Sequence, residues 1–369
     1  MISEGLLSIV RCPDCHGSLV PDGVVNSTDV HGGFTGDEHP RGRPRILCTG
    51  CGRVYDSGSA DYLDLRPATA FTEQTKYLDE SLHADARHER VSPPLLGSKI
   101  RNDMLRAFLA PAPGDLVIDL GCGSGRTLLW NRDWGAHVVG IDIAPFFSTE
   151  ARRGVDLLIG DLRKLPFADG TFTRAFSLDV LEHLSPDAVR GMLAEARRVL
   201  APGGTLFVYT HVRRNARIAI GLKWINALAR QLDRAGLIDL RQEHLRKSDH
   251  LNPLADIPEL EQVAHEAGFR IARMRYYTPI VGGFVENILM RVAERAMAKR
   301  AAKRIASTTP ADQANAQAIK AARTAAKDRI ARSPSTRLVL QVLSVAMKLD
   351  LVLFGRIRSG PFFALLTRV

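Results

Sequence analysis

From Asp115 onward the chain alternates short apolar runs with stretches of helical length, and few architectures accept that rhythm. Residues 116–120 (LVIDL), 137–142 (HVVGID), 155–160 (VDLLIG), 172–178 (FTRAFSL) and 205–210 (TLFVYT) read as buried strands. The segments between them have helical length, as from Ser185-Pro186 through Leu200. Strands apolar on both faces and separated by helices predict a parallel sheet covered on both sides. A helix near 257–267 and a strand near 269–277 continue the series.

The first strand runs into Asp119-Leu120-Gly121-Cys122-Gly123-Ser124-Gly125, which opens a helix. Glycines there permit a sharp turn and close approach to a ligand. The helix start offers free N–H groups to an anionic ligand group. A tight strand–helix turn is the plain alternative, since Arg126 stands where a dinucleotide loop wants its third glycine. The following strands favour a ligand. Asp142 ends the second, Asp161 follows the third and Asp179 ends the fourth. Four carboxylates thus mark the strand ends, where open α/β sheets bind ligands. An acidic crevice repels a pyrophosphate and suits a cationic ligand that carries a ribose.

In chain order, VIDLGCGSG, GIDIAP, GDLRKLPFADGTF, SLDVLEHL and RVLAPGGTLFV resemble the motifs of class I S-adenosylmethionine-dependent methyltransferases over roughly 115–280. The resemblance implies a Rossmann-like, seven-stranded α/β sheet. It implies that Asp119, Gly121, Cys122, Gly123 and Gly125 hold the methionine end of S-adenosyl-L-methionine. Asp142 with Ile143 would take the ribose, Asp161 with Leu162 the adenine, and Asp179 would complete the crevice. The family closes its sheet with an antiparallel hairpin, here FRIARMRYY and PFFALLTRV, so 281–356 is an insertion between them.

Methyl transfer is an in-line displacement in which alignment supplies much of the rate. A general base is needed only where the acceptor loses a proton. Glu182 and His183 follow the fourth strand, Tyr209 and His211 the fifth, and His211 then His183 are the candidate bases. The plain alternatives are a helix start for Glu182-His183 and a polar loop for His211. Residues 211–252 are basic and polar and are expected to cover the substrate.

Cys12-Pro13-Asp14-Cys15 and Cys48-Thr49-Gly50-Cys51 are two C-x-x-C knuckles separated by 32 residues. Such pairs complete a tetrahedral, structural Zn site, with His16 and His31 superfluous to a four-cysteine set. A redox role fits poorly, because neither pair opens a helix after a strand. Residues 8–66 are similar to small zinc-ribbon domains of the Trm112 type, which often associate with methyltransferases. Cys122, inside the glycine loop, reads as a small filler.

Composition adds boundaries. Of 369 residues, 45% are hydrophobic and 24% charged, which excludes a disordered, collagenous or disulfide-miniprotein chain. The start, MISEGLLSIVRCPDC, does not read as a signal peptide, and no run of about 18 uncharged apolar residues exists. Thiol pairs of this kind point to a reducing, cytoplasmic setting. The expected organisation is a zinc ribbon at 1–66, a linker and amphipathic helix at 67–110, a methyltransferase domain at 111–280 plus 357–369, and a basic helical insertion at 281–356. The net charge is +10, and 285–334 alone holds eleven Lys/Arg against four acids. Three roles stay open for 281–356: a lid on the domain, an amphipathic element lying on an anionic membrane at its inner face, or a grip on nucleic acid. The expected acceptor is a small molecule, a sugar or a lipid-linked compound, methylated on oxygen. An RNA or ribosomal substrate is the first rival, and a non-catalytic cofactor-binding scaffold the second.

Overall fold

The computed structural model describes residues 2–25, 43–56, 61–68, 91–213, 220–238, 240, 250–251, 253–296 and 333–369. The cover residues 214–219 and 241–249, most of the linker (69–90) and the centre of the basic block (297–332) lie outside them.

The strands fall where the apolar runs lie. Strands β5 (Leu116–Leu120), β6 (His137–Asp142), β7 (Asp156–Ile159), β8 (Phe172–Leu178) and β9 (Leu200–His211) are parallel. β10 (Phe269–Tyr276) and β11 (Pro361–Arg368) close the sheet antiparallel, with Phe363 opposite Tyr209 and Arg275. The expected hairpin is therefore present, although 84 residues separate its strands. The helices α2 (Leu96–Leu109), α3 (Arg126–Trp130), α4 (Thr149–Gly154), α5 (Pro186–Val199) and α7 (Ile257–Glu266) cover the faces. α5 shows the local logic. The Ser185 hydroxyl accepts the Ala188 N–H at 3.3 Å, Pro186 occupies the first turn, and Arg197 and Arg198 face the negative end of the helix dipole. Its Ala188, Val189, Met192, Leu193, Ala196 and Val199 form one helical stripe, and all are buried.

The seven expected strands acquire an eighth. β4 (Leu63–Asp64), the end of the cysteine-bearing segment, pairs in parallel with β7 through Leu63–Leu158 and Asp64–Ile159. The full order is β10-β11-β9-β8-β5-β6-β7-β4. The rest of that segment is α1 (Glu4–Ile9) and a meander of β1 (Leu19–Val25), β2 (Arg43–Cys48) and β3 (Val54–Asp56). It is not a bead on a tether. Leu6, Val10, Tyr55, Leu63 and Leu65 share one buried cluster with Leu158, Leu165 and Phe167. The Arg11 N–H donates to the Pro166 carbonyl at 2.8 Å, and Ser3 Oγ to Asp156 at 2.5 Å.

The insertion forms a further helical layer. Helix α6 (Ile220–Arg234) precedes it; α8 (Ile280–Phe284), running on through a π turn at Val285–Leu289, α9 (Pro334–Met347) and α10 (Leu349–Phe354) belong to it. Lys348 and Asp350, which disqualify a spanning helix, have local work. Lys348 Nζ lies 2.6 Å from Asp103 of α2. Asp350 is fully buried and accepts the N–H groups of Val281 (2.9 Å) and Gly282 (2.7 Å), capping α8. The Ser344 Oγ accepts the Leu96 N–H at 2.7 Å, and Glu286 accepts the Gly97 N–H at 3.0 Å. The described parts of 281–356 therefore cover α2, as a lid would. Among the described residues no helix is long and apolar enough to cross a membrane.

Candidate active site

The C-terminal ends of β5, β6, β8 and β9 lie together on one edge of the sheet. At the end of β5 the chain enters the left-handed region at Gly121 (φ 89°), Gly123 (52°) and Gly125 (75°). The three glycines have different reasons. A Cβ on Gly121 would stand 2.4 Å from Val180 Cγ2, and one on Gly125 2.7 Å from the Ala151 Cβ. A Cβ on Gly123 would meet nothing within 4 Å, so this residue borders open space and its glycine answers to the left-handed backbone. The Gly123 N–H donates to Asp142 Oδ2 at 2.7 Å and the Ala144 N–H to Oδ1 at 3.2 Å, which fixes the Asp142 carboxylate beside the loop. Ile143, partly buried, lies between these two anchors.

Burial pushes the Asp142 carboxyl upward. Asp119 is pushed well above its ordinary range by burial and then by the Asp142 charge. No ion pair among the described residues includes either group. A cationic ligand placed between them relieves that repulsion, which is what a sulfonium and an α-ammonium group bring. Cys122 is the expected filler. It is buried, its thiol is pushed up by burial and by both carboxylates, and it packs where any Cβ on Gly140 would intrude at 2.8 Å. A nucleophilic thiol needs the opposite environment. Asp161 stands at its strand end but holds Arg163, through Nη2 at 2.7 Å and the backbone N–H at 2.9 Å; Leu162 between them is partly buried.

A second cluster lies beside the first, at the ends of β8 and β9. Asp179 sits at φ 56°, a strained conformation for a non-glycine residue and one common at functional sites. Its carboxylate lies 3.3 Å from Nε of Arg101, whose guanidinium stands 5.6 Å from the centre of the Tyr209 ring. Burial opposes the charge on Arg101, but Asp179, Tyr209 and Glu286 more than compensate and hold it cationic. Glu182 is buried and accepts the Thr210 hydroxyl at 2.8 Å. Burial, then the nearby Asp179 charge, pushes its carboxyl from 4.5 to about 8. His211 Nδ1 is 3.9 Å from Glu182 Oε1. The His250 ring stands edge-on to His183 at 4.6 Å and tilted to His211 at 5.4 Å. The two candidate bases are thus gathered with Glu182 beneath a third histidine.

Sequence reasoning placed His250 only among cover residues and missed Arg101, Tyr277 and Glu286 altogether. Arg101 is one polar position on an amphipathic helix. Tyr277, buried with its phenol pushed upward, ends the expected hairpin strand FRIARMRYY without a motif of its own, and Glu286 comes from the insertion.

Residues 118–208 match the methyltransferase domain family. The chain carries a methyltransferase domain. It is 32% identical over 162 residues to a probable tRNA methyltransferase 9B of Mus musculus, which covers 42% of this chain and 36% of the relative. It is 41% identical over 103 residues to a demethylmenaquinone methyltransferase of Beutenbergia cavernae, over 27% and 42% of the two chains. It is 33% identical over 110 residues to a sterol 4-C-methyltransferase of Caenorhabditis elegans, over 27% and 31%. The chain spans about a third or less of the length of the first such relatives (36%, 23% and 30%). Among solved structures, a Haemonchus contortus phosphoethanolamine N-methyltransferase 2 in complex with S-adenosyl-L-methionine aligns over 82% of this chain and 61% of its own, with a TM-score of 0.46 and 15% identity. The methyltransferase domain here has the Rossmann-like sheet expected from the motifs, extended by the N-terminal strand.

The cysteines form a separate centre at the far edge of the sheet. The thiols of Cys12, Cys15, Cys48 and Cys51 lie within 4.8 Å of one another and none is in a disulfide. Cys12 and Cys51 sulfurs are 3.8 Å apart, Cys15 and Cys48 3.4 Å. A tetrahedron with metal–sulfur bonds of about 2.3 Å has edges of about 3.8 Å, so the set fits zinc. The Cys51 N–H points at the Cys48 sulfur at 3.5 Å, and the Tyr55 hydroxyl is 3.0 Å from Cys12. Burial raises the Cys48 thiol, but the Cys51 and Gly50 N–H groups and Cys15 prevail and bring it down to about 7. At Cys15 and Cys51 a backbone N–H favours the thiolate, but the crowding of neighbouring thiols prevails and pushes both up. A cation among them would remove that crowding of charge.

Proposed function

We propose that this protein transfers the methyl group of S-adenosylmethionine to an oxygen of a small-molecule or lipid-linked acceptor, with a zinc-stabilised N-terminal unit bracing the sheet. The observation that carries the reading is the placing of an acidic, glycine-lined crevice beside the Glu182–His211–His183 cluster on one sheet edge. Bound there, the cofactor supplies a methyl carbon made electrophilic by a positive sulfur. The residues divide the remaining work. Asp119 and the 121–125 loop hold the methionine end, Asp142 the ribose hydroxyls, and Asp161 with Leu162 the adenine. Asp179 and Arg101 form the wall between crevice and acceptor. His211 receives the hydroxyl proton at a ring nitrogen, and Glu182 orients that ring from below. His183 is the alternate proton acceptor. The helical layer above α2 excludes water, so an attacking oxygen keeps its nucleophilicity.

An RNA acceptor is the second reading, favoured by the strongly basic block and by the tRNA methyltransferase named among the relatives. Two measurements test the proposal. Titration calorimetry with S-adenosylmethionine and with NAD decides the cofactor; binding of NAD alone refutes the reading. Incubation with methyl-labelled cofactor, followed by separation into lipid, RNA, protein and soluble fractions, decides the acceptor. Label in RNA alone replaces the first acceptor class with the second.

A further inference from the structure

The insertion helices have two apolar faces, and only one is used. On α9 and α10 the inward stripe (Leu340, Ser344, Met347, Asp350) is buried against α2 and α8. The opposite stripe, Leu338, Val342, Val345, Leu349 and Val352, repeats at three- and four-residue spacing and is about half to two-thirds exposed; Val352 is 70% exposed. Helix α6 repeats the pattern. Its Leu222, Ile225 and Ala229 turn inward, while Ile220, Trp224 and Leu228 form an outward stripe at which Trp224 is 73% exposed. Between them, Phe284, Leu289 and Val292 are also exposed. These helices are one layer. Gly283 of α8 lies against Leu222 of α6, and Gly282 against Met347 and Asp350. Exposed apolar stripes repeated on neighbouring helices of one layer point to an interaction site.

Charge identifies the occupant. Every acid in the layer's described residues is spent internally. Asp233 accepts the Leu240 N–H (3.1 Å), Glu286 the Gly97 N–H (3.0 Å), Glu294 pairs with Arg291 (2.9 Å), and Asp350 is buried. Lys223, Arg230, Arg234, Arg337, Arg356 and Arg358 are exposed around the stripes. In sequence, 297–332 lies between Ala296 and Ser333 and holds nine Lys/Arg against two acids. An apolar face that carries an exposed indole, bordered by cations and with its acids engaged in local contacts, complements the interface of an anionic bilayer. A protein partner of comparable affinity would have to be acidic and apolar on the same surface. A duplex or single-stranded nucleic acid would use the cations and leave the apolar stripes wet.

We propose that the outer face of α6, α8, α9 and α10 docks this protein on an anionic lipid surface, with the apolar stripes entering the headgroup boundary. The proposal is independent of the methyl-transfer reading, since vesicle binding requires neither cofactor nor acceptor. The test is sedimentation of the full chain with vesicles of phosphatidylcholine alone and of equal parts phosphatidylcholine and phosphatidylglycerol. The expected result is pelleting with the anionic vesicles, weakened by salt, and little with the neutral ones. Trp224→Glu and Val342→Glu should each lower the partition coefficient by about tenfold or more, because each removes an inserted side chain and adds a repelled charge. Both positions are exposed, and an unchanged circular dichroism spectrum and S-adenosylmethionine affinity establish that the variants fold. A full chain that stays in the supernatant at low salt overturns the proposal. So does equal pelleting of wild type and both variants, or a concentration-dependent dimer that Trp224→Glu abolishes while vesicle binding persists.

Discussion

Glu182→Gln isolates the perturbed carboxyl that lies between Asp179, Thr210 and His211. In the unfolded chain this group titrates near its ordinary 4.5, and in the folded protein near 8. Between those values the native state holds a proton that the unfolded state has released, so stability falls as pH rises through this window. Below pH 4.5 both states are protonated and the group is neutral to the balance; above 8 the native state must ionise a buried carboxyl beside Asp179. At about 1.4 kcal/mol per pH unit the full displacement corresponds to ~4–5 kcal/mol. That displacement already includes Arg101 and the Thr210 hydroxyl, which favour the ionised form, and Asp179, which opposes it; because the Asp179 charge is half-exposed and screened, the realised figure is smaller. A realised loss of roughly 2–4 kcal/mol between pH 5 and 9 follows. Glutamine has the shape of the neutral acid and still accepts from Thr210. Urea unfolding of wild type and variant at half-unit steps from pH 5 to 9 reads the effect as a difference of two profiles, in which His211 and other titrating groups cancel to first order. The variant should gain stability relative to wild type as pH rises. Parallel profiles would mean that Glu182 carries no displaced proton, and the account of this pocket would fall.

Asp142→Ala should weaken S-adenosylmethionine binding by about 1.5–3 kcal/mol or more in calorimetry, the scale of charge-assisted hydrogen bonds; unchanged affinity removes Asp142 from the crevice. Cys48→Ser should lose zinc from near-unit stoichiometry in metal analysis and lower the thermal midpoint of the whole chain, because it removes one of the four thiols gathered to hold a metal. His211→Ala should reduce kcat by about 10²–10⁴-fold with cofactor affinity unchanged, and wild-type turnover would exclude it as the base.

The sheet was legible because its strands are buried on both faces, which strips them of polar residues and leaves compact apolar words such as LVIDL and HVVGID. The cofactor side was legible for a related reason. A backbone that must bend at φ > 0 needs glycine at Gly121 and Gly125, and ligand hydroxyls need carboxylates at strand ends. The second cluster carries no such grammar. Arg101 reaches Asp179 from a helix 78 positions earlier in the sequence, and its own helix gives no sign of that errand. His250 joins His183 and His211 only through the return of a long connection. The eighth strand was illegible because Leu63-Asp64 is two residues long and becomes a strand only by pairing with β7. The inward and outward faces of α9 read alike in sequence, since both are apolar, and only packing against Leu96 and Met347's neighbours distinguishes them.

The pairing of β4 with β7 has a consequence for how the chain is born. The two cysteine knuckles are close in sequence and can collect a metal as soon as residue 51 is free. Leu63, however, waits for Leu158, and the Arg11 N–H waits for the carbonyl of Pro166. During synthesis the metal-bearing unit is therefore complete in its ligands but bare along one edge while about a hundred further residues emerge, a delay of roughly 5–20 s at ordinary elongation rates. Over that interval its Leu6, Val10 and Leu65 lack the Leu158, Leu165 and Phe167 side of their cluster. A metal clasp that closes early limits how far this exposed edge can wander, so zinc supply should govern the yield of folded protein more sharply than it governs the stability of protein already folded.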